Sequence, residues 1–96
     1  MKTLDEILEA TCEAVGIDKD KIADKRKIDE SHQIARIVYC HIANITYGFG
    51  YRAIGAKINR APTNVYHNVN KAPINSYRFF DFIIKEVQLK LSNGQT

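Results

Sequence analysis

Three polar side chains within one turn and a half, Thr63, Asn64 and His67, are of the types that read the edges of nucleic-acid bases. An asparagine amide sets one donor beside one acceptor, which matches N6 and N7 of adenine in a major groove. A threonine offers a methyl group for thymine or a hydroxyl for a phosphate, and a histidine one turn further on reaches a base edge or a phosphate. Around them in the chain stand Arg52, Lys57, Arg60, Asn68 and Lys71. These suit the phosphate backbone, where they add affinity without reading sequence. Tyr66 reads equally as packing or as a phosphate contact.

The same inventory offers little for catalysis or metal binding. Cys40 and His41 are neighbours, about 100° apart on a helix, and cannot converge on one ion. His32 and His67 lack metal-ligand spacing as well, so no zinc site is expected. Cys12 has no base or helix start placed to lower its pKa and reads as a small buried hydrophobe. His41 falls on an apolar helix face and reads as a core histidine with one satisfied hydrogen bond. No GxxxxGK[ST] loop occurs, and no His, Cys and carboxylate set converges. The expectation is a binding protein without cofactor or metal, not an enzyme.

Charge points the same way through its distribution. The net value is only +3 over 96 residues. Residues 1–30 nevertheless carry nine acids against six bases, whereas residues 31–80 carry six bases and no acid. A stretch without carboxylates does not repel phosphate. Two cysteines, with acidic and amphipathic first residues rather than a secretory signal, suggest reduced thiols in the cytoplasm. No apolar run is long enough to cross a bilayer.

The elements that must position the polar set read as helices. A lead-in helix over about 3–15 starts at a Thr3/Glu6 capping box, shows the stripe Leu4, Ile7, Leu8, Thr11, Cys12 and Val15, and stops at Gly16. Ile17 to Lys27 reads as a charged connector with one helical turn expected around 19–23. Its end, Lys25-Arg26-Lys27, reads as a solvated linker or as a basic loop touching phosphate or a minor groove. A long helix follows from Asp29 or Glu30 to Thr46, with Asp29 as cap and Ile34, Ile37, Val38, His41, Ile42 and Ile45 on one face. Arg36 is expected to point away from that face, toward a phosphate.

Residues 50–72 then read as two short helices around a tight turn. Tyr51, Ile54 and Ile58 mark the first helix, and Asn59, Arg60 and Ala61 form the turn. Pro62 suits the first position of the second helix, which buries Val65, Val69 and Ala72 and ends before Pro73. A last helix over about 76–91, capped by Asn75 or Ser76, carries the stripe Tyr77, Phe80, Ile84, Val87 and Leu91. Phe79, Phe82 and Leu89 lie on another side of it, which reads either as further packing or as a surface for a protein partner or self-association.

The order of these elements resembles domain IV, the DNA-binding domain of the bacterial replication initiator DnaA, a Trp-repressor-like helix-turn-helix. The residues that carry the likeness are Lys25-Arg26-Lys27, Gln33-Ile34-Ala35, Ile54-Gly55, and Thr63, Val65, His67 and Lys71. The resemblance implies that Lys25–Lys27 form a basic loop whose arginine enters a minor groove. It also implies that Thr63, Asn64 and Val65 stand where the family has the Thr-Thr-Val that reads the major groove. The chain departs from the family at Ala61-Pro62, where the family has Asp-His, at His32, where it has arginine, and in a turn one residue shorter. The reading is therefore an all-α, single small domain with a helix-turn-helix that binds double-stranded DNA. The alternative is a helical interaction module that uses its C-terminal helix and leaves DNA alone.

Overall fold

The first turn of the chain is decided by Thr3 and Glu6. The Thr3 hydroxyl accepts from the Glu6 N–H at 3.2 Å, and the Glu6 carboxylate accepts from the Thr3 N–H at 3.0 Å. These two bonds satisfy N–H groups that the first turn would otherwise leave open, and the Thr3 N–H and hydroxyl, both donating to the Glu6 carboxylate, hold it below its usual pKa. Helix α1 runs Leu4–Val15 and ends at Gly16, whose φ of 86° is left-handed. Its Leu4, Ile7, Leu8, Ala10, Thr11 and Cys12 are buried, and Val15 only half so.

A computed structural model describes residues 2–24, 26, 29–74 and 78–93, with the side chains of 71–79 and 93 outside the description. The expectations placed on Lys25, Lys27 and Lys71, on Phe79, and on the Asn75/Ser76 cap and Tyr77 therefore lie outside the described residues. The rest is all-α: among the described residues five helices and no strand. None of these helices is long and apolar enough to cross a membrane.

The connector is less solvated than its charge suggests. A 3₁₀ turn at Lys19–Lys21 is capped by Asp18, and it turns Ile22 inward to 1 % exposure. Helix α2, Glu30–His41, passes beneath and is buried over six consecutive residues, Ala35–Cys40. Asp29 occupies the N-cap position, but its carboxylate does not cap the helix. It faces His32 instead, Oδ1 to Nδ1 2.8 Å, a contact that becomes an ion pair when the ring is protonated.

The predicted long helix continues past His41 as a single π-helical turn, Ile42–Thr46, in which the Tyr47 N–H reaches back to the Ile42 carbonyl. The wider winding shifts the face. Ile42 and Ala43 stay inside, while Ile45, expected in the core stripe, is 62 % exposed.

Helix α3 is Tyr51–Ile58, α4 is Pro62–Ile74 and α5 is Arg78–Asn93. The central packing is α2 on α4, α3 lies against α4, and α1 bridges α2 and α5. Helix α5 buries Phe80, Ile83, Val87 and Leu91. Ile83 takes a place in the core that the sequence reading had left empty, and Ile84 is only half-buried.

Helix α4 does not stop before Pro73 as expected; it runs through it to Ile74. A proline removes the N–H that would bond the carbonyl four residues back, here Val69. That carbonyl lies 3.4 Å from His41 Nδ1. The half-buried ring of α2 thus stands where the lost donor would be, and the last turn of α4 is tolerated.

Candidate nucleic-acid interface

The turn between α3 and α4 is tight because two residues allow it. Asn59 adopts a left-handed conformation with φ 55°, and its neighbour Arg60 donates its N–H to the Gly55 carbonyl at 3.0 Å. Gly55 lies beneath. A Cβ there would collide with the Arg60 carbonyl oxygen and stand 3.1 Å from Val65 Cγ2. Pro62 then opens α4 with the Ala61 carbonyl accepting from Asn64 and Val65 at 3.0 and 3.2 Å.

With α4 pinned in this way, its faces separate. Val65, Asn68 and Val69 are buried against α2 and α3. Thr63, Asn64, Tyr66, His67 and Asn70 are exposed. Thr63, His67 and Asn70 recur at i, i+4 and i+7 and form the outermost ridge, with Asn64 and Tyr66 on its two flanks. Asn70 belongs to this ridge and was missed in the sequence, although the same spacing that joins Thr63 to His67 leads to it. Its Nδ2 donates to the Tyr66 carbonyl at 2.9 Å.

Two residues expected at the phosphate backbone are not available for it. Arg36 is 5 % exposed. Its Nε donates to the Ile22 carbonyl at 3.0 Å and its Nη2 to the Asp24 carbonyl at 3.2 Å, so it ties the connector to α2. The sequence placed it on an open face because nothing predicted that Ile22 would fold over that side. Burial lowers its pKa, with Arg60 adding repulsion.

Asn68 is likewise buried, at 8 % exposure, with Nδ2 3.9 Å from Cys40 Sγ and 3.2 Å from Asn64 Oδ1. It borders the apolar stripe and has partners there, so it packs inward. Cys40 and Cys12 are both buried free thiols, raised by desolvation to about 12 and about 11.

The remaining bases differ in how free they are. Arg52 is exposed, with no carboxylate in ion-pair reach among the described residues. Lys57 is exposed but pairs with Asp5 of α1 at 3.2 Å. Arg60 is half-buried and its Nη1 donates to the carbonyls of Ile58 and Asn59, both at 3.1 Å, closing the end of α3. Arg26 is fully exposed and held by Asp24 at 3.2 Å. Beside the ridge, Tyr66 meets Tyr51 edge-on at 5.7 Å and His67 at 5.6 Å.

Among the described residues no three His, Cys, Asp or Glu side chains gather in a way that could hold a metal. Comparison with protein-family models, curated proteins and solved structures finds no match for this chain.

Proposed function

We propose that the chain binds double-stranded DNA, with α3 and α4 acting as a helix-turn-helix and the start of α4 entering the major groove. The observation that carries this reading is the outward ridge of α4. Thr63, Asn64 and His67 all face solvent, on a segment of the chain without carboxylates, while the opposite side of the same helix is locked into the core. A rigid helix that shows short hydrogen-bonding side chains beside exposed cations fits the groove in width and chemistry. Asn64 is the reader of adenine. Its Oδ1 accepts from Asn68, which fixes the amide and still leaves that oxygen a second lone pair. Arg52 and Lys57 bind phosphate, and the Lys25–Lys27 loop extends the contact as it does in the DnaA domain that the sequence resembles. The role is cytoplasmic, in replication initiation or a related sequence-specific process.

Fluorescence anisotropy on duplex DNA across a salt series tests this. Affinity is expected to fall linearly on a log–log plot against salt. Absence of binding to any duplex at low salt overturns it. A second reading has an observation of its own. Phe82 and Leu89 are 65 % and 59 % exposed and, seven residues apart, share one side of α5. That surface supports a helical interaction module that pairs with a protein or with itself. Sedimentation of the Phe82→Glu and Leu89→Glu variants beside the parent chain separates the two readings.

A further inference from the structure

Between the starts of α3 and α4 lies a shallow hollow lined by Tyr51, Pro62, Thr63 and Tyr66. Its walls are two aromatic rings in edge-to-face contact, a pyrrolidine ring and a threonine side chain. Tyr66 stays 49 % exposed although its ring is large, and Tyr51 is half-buried. An open apolar depression on a surface otherwise built from amides, an imidazole and cations calls for an apolar guest. Arg52 stands next to Tyr51 in sequence and is exposed, so the surroundings favour an anionic partner.

In the major groove the base edges offer one apolar group, the methyl at C5 of a pyrimidine, normally that of thymine. We infer that the Tyr51–Tyr66 hollow receives this 5-methyl group, so that the chain reads pyrimidine methylation beside the adenine read by Asn64. The inference rests on the DNA-binding reading and gives it a chemical preference. The preference is for the methyl group, carried by the ring faces of the hollow rather than by the hydroxyls of Tyr51, Thr63 and Tyr66. The hollow therefore takes the methyl of thymine or of 5-methylcytosine alike, and it discriminates against uracil and unmodified cytosine.

The test uses the full chain and a duplex recovered by selection from random DNA, resynthesised in variants. In one, thymines are replaced singly by uracil. In another, a contacted thymine–adenine pair is replaced by cytosine–guanine, with and without the 5-methyl. Each methyl lost from the hollow is expected to weaken binding about fourfold, the value of burying one such group, and adding it to cytosine is expected to restore about the same factor.

Tyr66→Ser is expected to erase both methyl effects, so that its own affinities for the methylated and unmethylated duplexes agree within about twofold. Its helical circular dichroism is expected to match the parent, with melting lowered by the lost contacts of the ring to Tyr51 and His67. Equal affinity for methylated and unmethylated partners in both series overturns the inference and leaves DNA binding standing. Methyl effects that survive Tyr66→Ser overturn the assignment to this hollow. Failure to bind any duplex at low salt removes the DNA-binding reading and this inference with it.

Discussion

Asn64 and Asn68 carry the same side chain one turn apart on α4, yet one faces water and the other the core. The helix has no property that separates them except position along its length. Asn68 borders Val65 and Val69 and looks onto α2, where Cys40 Sγ lies 3.9 Å from its amide nitrogen, while Asn64 Oδ1 one turn back on α4 receives its N–H. Asn64 lies on the same flank, one turn nearer the open start of α4, and is exposed. A buried amide is kept only where partners exist, since an unpartnered one costs more than its packing returns. The inward side of α4 therefore carries stability, and the outward side is free to carry recognition. Substitutions that keep these two properties apart support the division, and substitutions that mix them break it.

The largest effect is expected beneath the turn that sets which side faces in. Gly55→Ala puts a methyl against the Arg60 carbonyl, a backbone atom that cannot move alone. Denaturant unfolding should show a loss of about 3 kcal/mol, the upper end for overpacking. Affinity for DNA should fall with it, because α4 is displaced. Arg36→Ala comes next. It leaves the Ile22 and Asp24 carbonyls without their charged donor, and the loss should be about 2 kcal/mol, as for hydrogen bonds to ionised groups. The slope of affinity against salt should stay unchanged in the folded variant, since this guanidinium never meets phosphate. A shallower slope would return Arg36 to the interface.

The two asparagines then sharpen the division directly. Asn68→Ala should cost about 1 kcal/mol in unfolding, a typical neutral hydrogen bond, and should weaken sequence preference less than Asn64→Ala does, since it frees the Asn64 amide without removing it. Asn64→Ala takes the oxygen acceptor from the buried Asn68 amide and should cost about as much in unfolding, yet the folded variant should lose roughly 1–3 kcal/mol of binding on a selected duplex and little on random DNA. Equal losses on both DNAs would remove Asn64 from base reading.

How much of this was legible depended on how local the physics is. The Thr3/Glu6 box, the Gly16 stop, the apolar stripe of α1, and Pro62 as the first residue of α4 involve residues within a turn of one another, and the sequence displays them. Arg36, Ile45 and Pro73 were misread because each is settled by a distant partner or a change of winding. Ile22 folds over Arg36 from fourteen residues away, and the π-helical turn rotates Ile45 out of its stripe. His41 stands at the carbonyl that Pro73 leaves open. The outward ridge was half legible. Thr63 and His67 followed from helical spacing, which also contained Asn70. The Tyr51–Tyr66 hollow was hidden because it joins two helices whose crossing no spacing rule supplies.

The smallest expected effect lies at the rim, where the acidic lead-in helix meets the basic pair. Asp5 of α1 holds Lys57 of α3 at 3.2 Å, with both side chains about half exposed. Such a pair adds little to stability, at most about 0.5 kcal/mol once solvent screening is counted. Its consequence for binding is larger than its consequence for folding, because a lysine held by a carboxylate must leave it to neutralise a phosphate. Asp5→Asn should therefore melt within a degree or two of the parent chain and bind random duplex DNA somewhat more tightly at low salt. The log–log salt slope should steepen by up to about one, the mark of one added phosphate contact. Lys57→Gln should flatten the slope by the remainder of that single contact, so that the two changes sum to about one, and the double variant should match Lys57→Gln alone, since without the lysine Asp5 has nothing to withhold. A double variant that binds as Asp5→Asn does would show that Asp5 acts by simple repulsion of DNA and that Lys57 lies off the phosphate path.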